Sequence, residues 1–270
     1  MLSIIIPSYK DPYLHKTIDS LLENAEGEVE IVVVLDGYQP TIPIKEDKRI
    51  KVIHLGKNRG MRGAINAGVL VSKGEYIMRT DEHCLFGKGY DIILTKDIEN
   101  NWIVTPRRYF LNPVDWKIMD IPPTDYGDLK IQGTGSGRKF HGQENKELAE
   151  QRKNIMIDET FAMQGSCWIM RRSWWDKVIG ELQIEGYGPL YQDSHEMVFK
   201  TWKAGGKLMV NKNTWHAHKH RSFNRTHSNG TKENPSNNEA CFAYSLSVWE
   251  DYYNELKQNG RFDYTVLDKQ

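Results

Sequence analysis

Residues 81–84 read Asp-Glu-His-Cys, directly after the run Tyr76-Ile77-Met78-Arg79-Thr80. An apolar strand that ends in two carboxylates and an imidazole must either hydrate them or use them. Asp81 and His83 lie two residues apart, so in extended chain their side chains share one side. A carboxylate oxygen and an imidazole nitrogen placed together are two ligands for a Mn2+ or Mg2+ ion, which can in turn bridge phosphate oxygens. The plainer alternative is that Asp81 caps the following segment and His83 is solvated. Glu82, the most conspicuous acid of the row, is expected to point away from such an ion.

Two further polar clusters end apolar runs, Pro7-Ser8-Tyr9 and Asp36-Gly37. The elements that carry them alternate. "LSIIIP", "VEIVVVLDG", "RIKVIHL" and "EYIMRT" read as strands. Residues 12–24 set Leu14, Ile18, Leu21 and Leu22 on one helical face, and "RGMRGAINAGVLVSKG" reads as a small-residue helix stopped by Gly74. Continuous apolar runs alternating with helices predict an α/β fold with a mostly parallel sheet flanked by helices. In such sheets ligands bind beyond the carboxyl ends of the strands, so the three clusters share one candidate site. No Gly-x-Gly-x-x-Gly follows the first strand and no phosphate-binding Gly-Lys-Ser/Thr loop occurs, which excludes the usual dehydrogenase and P-loop chemistries. A nucleotide held here needs another counter-charge for its diphosphate, and a divalent metal is the usual one.

Lysine plus arginine and aspartate plus glutamate both number 36 in 270 residues, so the net charge is zero and no global field marks a nucleic-acid or membrane binder. Cys84, Cys167 and Cys241 show no paired spacing, and a disulfide framework is not expected. The N-terminal apolar run is too short for a leader, and no stretch approaches a membrane span. The expectation is a cytoplasmic protein of bacterial or viral origin.

The order "IIIPSYKD", "EIVVVLDGY" and "NRGMRGAINAGVLVSKGEYIMRTDEH" resembles the N-terminal half of GT-A-fold glycosyltransferases. Its Asp81-x-His83 variant is closest to the polypeptide N-acetylgalactosaminyltransferases and related family 2 glycosyltransferases. "DSHEMVFKTWKAGGKLMVNKNTWHAHKHR", residues 193–221, is similar to a second block of that family, and "FAMQGSCWIMRRSWW" fits the segment before it. The resemblance implies a GT-A fold with a C-terminal acceptor-side region and helix. It implies a UDP-sugar donor, with Mn2+ or Mg2+ held by Asp81, His83 and a third ligand, His218. His216 and His220 alternate around His218, so a one-residue slip would select a different ring. On the donor side it implies Asp36 at the uracil ring, Pro7, Ser8 and Tyr9 around it, and Arg62 and Arg221 as further donor-binding residues, Arg221 against the phosphates. Asp193 stands where the protein-glycosylating family has Glu. It is a candidate base for the acceptor hydroxyl, with helix capping as the alternative. Glu196, one turn on, is a candidate for positioning a neighbour or an acceptor.

The expected organisation is a GT-A domain over 1–221, with nucleotide-sugar binding in 1–105 and the acceptor and catalytic part in 106–221. Residues 222–270 are expected to form a lid loop and a C-terminal helix. The irregular stretch 106–160 is expected to shape the acceptor site, and its "QGTGSGRKFHGQ" to be a mobile loop. The helix over about Asn238–Gln258 carries Phe242, Leu246, Trp249, Tyr253 and Leu256 as a core stripe. The acceptor is expected to be a glycan or small molecule. The second reading is a DNA-modifying glycosyltransferase, in which Arg107-Arg108, Arg138-Lys139 and Lys219–Arg225 track a phosphate backbone. A donor-binding module with lost chemistry is a third.

Overall fold

The structure is a computed structural model that describes residues 1–220 and 236–267. Arg221 and most of the expected lid lie outside them. Strand β1 (Leu2–Ser8) leads to helix α1 (Leu14–Asn24), then β2 (Val29–Asp36), β3 (Ile50–Leu55), α2 (Gly60–Val71) and β4 (Tyr76–Thr80). These are the elements that the apolar periodicity predicts. Next come β5 (Cys84–Phe86), α3 (Tyr90–Lys96), β6 (Trp102–Asn112), β7 (Lys117–Ile118), β8 (Gly127–Gln132), β9 (Lys139–Glu144), α4 (Lys146–Gln151) and β10 (Ile157–Glu159). The chain continues through β11 (Cys167–Arg171), α5 (Arg172–Trp174), α6 (Asp193–Lys203), β12 (Lys207–His218), α7 (Asn238–Gln258) and α8 (Tyr264–Leu267).

The main sheet runs β10-β12-β6-β11-β4-β1-β2-β3, with β5 beside β12 and β7 beside β6. β3, β2, β1 and β4 are parallel, as are β6 and β12. β11 lies antiparallel between these two blocks, against β4 on one side and β6 on the other. Because side chains alternate along a strand, a run such as Ile4-Ile5-Ile6 feeds both faces. Ile4 and Ile6 pack with Leu14, Ile18 and Leu21 of α1 on one face. Ile5 packs with Ala64 and Ile65 of α2 on the other, in a core that continues to Trp168, Phe199 and Trp249. Gly68 lets α2 come close, since a Cβ there would lie 2.4 Å from Ile5 Cγ2.

The glycine-rich stretch is not an open loop. It forms the turn of a hairpin, β8 paired antiparallel with β9 from Gln132↔Lys139 to Gly127↔Glu144. The hairpin packs on α7, where Tyr253 Oη donates to Leu129 O at 3.2 Å and Phe140 meets the Tyr253 ring at 5.6 Å. Leu246, Trp249 and Tyr253 are core residues as the stripe predicts, but Phe242 is half-buried and faces a cleft. All three cysteines are buried free thiols. Among the described residues no helix is long and apolar enough to cross a membrane.

Candidate active site

The carboxyl ends of β1, β2 and β4 open onto a cleft of about 820 Å³, whose far wall is built by β9, the turn 189–192, the start of α6 and Phe242. Its inner corner holds Asp81, His83 and His218. β12 pairs with β5 in the register His218↔Cys84, which brings His218 beside His83 from 135 residues away. His218 Nε2 lies 3.0 Å from His83 Nε2 and 3.1 Å from Asp81 Oδ2, and His83 Nε2 lies 3.9 Å from Asp81 Oδ2. Ligand bonds of about 2.1 Å at right angles put neighbouring ligand atoms about 3.0 Å apart, so this donor set suits one divalent cation. His216 is not part of it, because its Nε2 pairs with Ser166 Oγ at 2.9 Å. His220 is exposed, against the Phe110 ring.

The electrostatics favour the same use. Burial pushes His218 down to about 4 against the pull of Asp81, which leaves the neutral ring that a metal requires. Burial alone would raise the Asp81 carboxyl, but Arg79 and the two imidazoles outweigh it and hold it well below the usual range. Arg79 Nη2 donates to Asp81 Oδ1 at 2.6 Å. His83 Nδ1 donates to Asp11 Oδ2 at 3.1 Å, which orients the ring with Nε2 facing the corner. Asp11 escaped the sequence reading, since its place four residues after Pro7 does not mark it as a partner of His83. Arg79 escaped too, although an arginine inside "YIMRT" was a usable signal.

Glu82 turns away from the corner, and both its carboxylate oxygens accept the Tyr9 amide at 3.2 Å. Pro7, Ser8 and Tyr9 line the cleft as expected, and Ser8 Oγ is 2.5 Å from the Tyr38 hydroxyl. Asp36 also lines it, but its carboxylate is already engaged. It accepts from Asn58 Nδ2 at 2.8 Å, Arg59 N at 2.6 Å and Gly60 N at 2.8 Å. It therefore caps the start of α2 from a neighbouring strand, and burial raises it to about 6 against these donors.

On the opposite wall Asp193 is the first residue of α6, lines the cleft and is 7% exposed. Burial would lower the Arg79 guanidinium, but Asp81 and Asp193 together outweigh it and hold it above its ordinary value. His195 lines the same wall. Its Nδ1 is buried without a partner among the described residues, and burial pushes the ring down to about 3. Lys139, Phe140 and His141 of β9 complete this end.

Two residues expected at the site are elsewhere. Arg62 is fully buried and lies outside the cleft lining, so it is not placed to hold a donor. It pairs with Glu196, which is 1% exposed and also takes Lys200 at 2.7 Å and the Gln183 amide at 3.2 Å. Glu196 is thus consumed by an interior ion pair rather than offered to an acceptor. Two of the arginines expected on a DNA backbone are likewise engaged, while Arg221 and Arg225 lie outside the described residues. Arg107 makes a two-pronged pair with Asp125 at 2.7 Å, and Arg138 pairs with Glu250.

Against known proteins, the family model described as Glycosyl transferase family 2 matches residues 3–179. The uncharacterized glycosyltransferase EpsJ of Bacillus subtilis (strain 168) is 33% identical over 108 residues, which cover 37% of this chain and 31% of that one. Glycosyltransferase GlyG of Streptococcus pneumoniae serotype 4 is 30% identical over 88 residues, covering 30% of this chain and 29% of that one. Each match thus spans about a third of the relative's length. In structure the chain is similar to GalNAc-T7, solved with UDP, GalNAc and Mn2+, at a TM-score of 0.71 and 18% identity, covering 94% of this chain and 49% of that one. S. aureus TarS superimposes with a TM-score of 0.53 at 13% identity, covering 81% of this chain and 36% of that one. These likenesses show the GT-A type of fold.

Proposed function

We propose, from the premise that the chain belongs to Glycosyl transferase family 2, that it moves a glycosyl group from a nucleoside diphosphate sugar to a hydroxyl acceptor. The observation that carries this reading is the convergence of Asp81, His83, His218 and Asp193 on one cleft. Its volume falls in the usual range for small-molecule sites, about 300–1,000 Å³. Asp81, His83 and His218 hold a divalent cation, Mn2+ or Mg2+. When bound, that cation supplies charge neutralisation to the diphosphate as it leaves. UDP is the favoured nucleotide, because the similar GalNAc-T7 structure holds UDP and Mn2+. Pro7, Ser8, Tyr9 and Asp36 then lie at the nucleoside end.

Asp193 is the general base. The acceptor oxygen attacks the anomeric carbon, its proton passes to the Asp193 carboxylate, and the bond from the anomeric carbon to the phosphate oxygen breaks with its electron pair on the diphosphate. A single displacement of this kind inverts the anomeric centre. The acceptor is a glycan or small molecule that fits against Lys139, Phe140, His141 and Phe242.

A thermal-shift panel of UDP-glucose, UDP-galactose and their N-acetylamino forms, with and without Mn2+, tests the donor reading. One donor is expected to raise Tm only with the metal and to release UDP. No shift and no release with any of them would overturn it. Retention of the anomeric configuration in the product would remove Asp193 as the base.

A further inference from the structure

Tyr191 and Gln192 both occupy the left-handed region, at φ 59° and 54°, and neither is glycine. The next residue is Asp193. Two consecutive L residues keep this conformation only where their surroundings enforce it, and such strain gathers at functional sites. Groups from three other elements do the enforcing. From α2, the Arg62 guanidinium spans Tyr191 O, with Nε at 3.1 Å and Nη2 at 2.8 Å, while Arg62 N donates to Pro189 O at 3.2 Å. From β9, Phe140 O accepts Gln192 Nε2 at 3.1 Å. From α7, Ser245 Oγ donates to Gln192 Oε1 at 3.3 Å. Gly60 lies so close to Pro189 that a Cβ would come within 2.3 Å. Arg62 is locked in turn by Glu196, which stands one turn beyond Asp193 on the same helix.

We propose that Arg62 and Glu196 are positioning residues, a buried clasp that fixes the turn 189–192 and thereby aims Asp193 at the acceptor. Arg62 ties the turn before Asp193 to the helix after it, so the carboxylate is held from both sides. The clasp also reaches the donor end. Asp36 caps the start of α2 through Arg59 N and Gly60 N, three and two residues before Arg62. One helix start therefore ties the end of β2 to the turn that carries the base. The physical need is plain, since a base must sit within hydrogen-bond reach of its proton and a displacement of about 1 Å costs about 10²-fold in rate. The inference rests on the reading of Asp193 as base.

The test compares Arg62→Lys, Gln192→Ala, Asp193→Asn and the double variants that combine each of the first two with Asp193→Asn. Lysine keeps a charge opposite Glu196 but lacks the fork that spans the Tyr191 carbonyl. Gln192→Ala cuts the tethers to Phe140 and Ser245 and leaves the ion pair intact, so it serves if Arg62→Lys fails to fold. The readouts are UDP release from the donor that the panel selects, affinity for UDP with Mn2+ by calorimetry, and melting. Arg62→Lys and Gln192→Ala are expected to lower kcat at least about tenfold at unchanged UDP affinity, and to add nothing to Asp193→Asn. A role confined to folding would lower Tm and leave kcat per folded molecule intact, which overturns the clasp. So would losses that multiply with those of Asp193→Asn. Full turnover by Asp193→Asn would instead overturn the base assignment, and the clasp with it.

Discussion

Two buried polar clusters flank β12, and they differ in how well their members satisfy one another. Beside β10, Asp158 accepts Arg152 Nε at 2.6 Å, Arg152 Nη2 at 3.0 Å and the Tyr126 hydroxyl at 2.5 Å, while Lys212 Nζ donates to Tyr126 Oη at 3.0 Å and Arg152 O at 2.7 Å. Donors meet acceptors and opposite charges meet. Burial would raise Asp158, yet Arg152 and Tyr126 outweigh it and keep it ionised. At the far end of the same strand, two imidazoles face each other through their Nε2 atoms with a carboxylate oxygen alongside. On the reading proposed above, a divalent cation would sit between these three ligand atoms. The saturated cluster staples the 106–160 region to the main sheet. The second is the proposed metal site.

The sharpest way to break that contrast is Asp81→Ala. It should abolish Mn2+ binding by calorimetry and cut metal-dependent UDP release by about 10³-fold, since several kcal/mol of charge stabilisation goes with the ion. Undiminished metal-dependent turnover would make the corner an ordinary polar cluster. Asp158→Ala probes the other cluster. It strands Arg152 and should cost about 3–5 kcal/mol, seen as a Tm lower by about 10 °C, with Mn2+ affinity unchanged. A variant that melts like the parent would show that the network is ornamental.

A smaller effect is expected from Asp11→Asn, which loosens His83 without removing a ligand. Mn2+ affinity should weaken by about 10–100-fold, and equal affinity would deny Asp11 its orienting role.

The smallest change concerns pH. His195 is pushed down to about 3 by burial, so below its ordinary value of 6.5 the unfolded chain takes up a proton that the folded chain refuses. The stability due to neutral His195 is whole above that value and drains away as pH falls toward 3. Asp36, raised to about 6, acts in the opposite sense, favouring the fold at acid pH and less so as pH rises from 3.8 to about 6. His195→Leu should therefore narrow the gap in Tm between pH 7 and pH 4.5, and a gap as wide as the parent's would assign that slope to other groups.

Much of the first half was legible because its signals are local. β1 and β2 are largely continuous apolar runs, and the residues at their carboxyl ends follow from where the runs stop. The Asp81–His83 pair was legible from its two-residue spacing, although the chain bends at Glu82 and His83 rather than staying extended. His218 was reachable only through the resemblance, since periodicity cannot choose among three alternating histidines. The errors were of one kind. Arg62 and Glu196 are charged residues near the right elements, and their types and places suggest a ligand. In the fold their charges are taken up by each other.

By itself the sequence determined the order of elements, the edge of the sheet where polar residues gather, and the Asp81–His83 pair. These depend on hydrophobic periodicity and on chain geometry over a few residues. Only the tertiary structure decided that His218 and not His216 joins that pair, because the β5–β12 register sets which ring lies beside His83. Only it decided that Asp11 orients His83, that Arg62 and Glu196 close on each other, and that a left-handed turn delivers Asp193 to the cleft. Those outcomes depend on which charges meet across more than seventy residues of chain, and a buried charge goes to whichever partner the packing brings within reach.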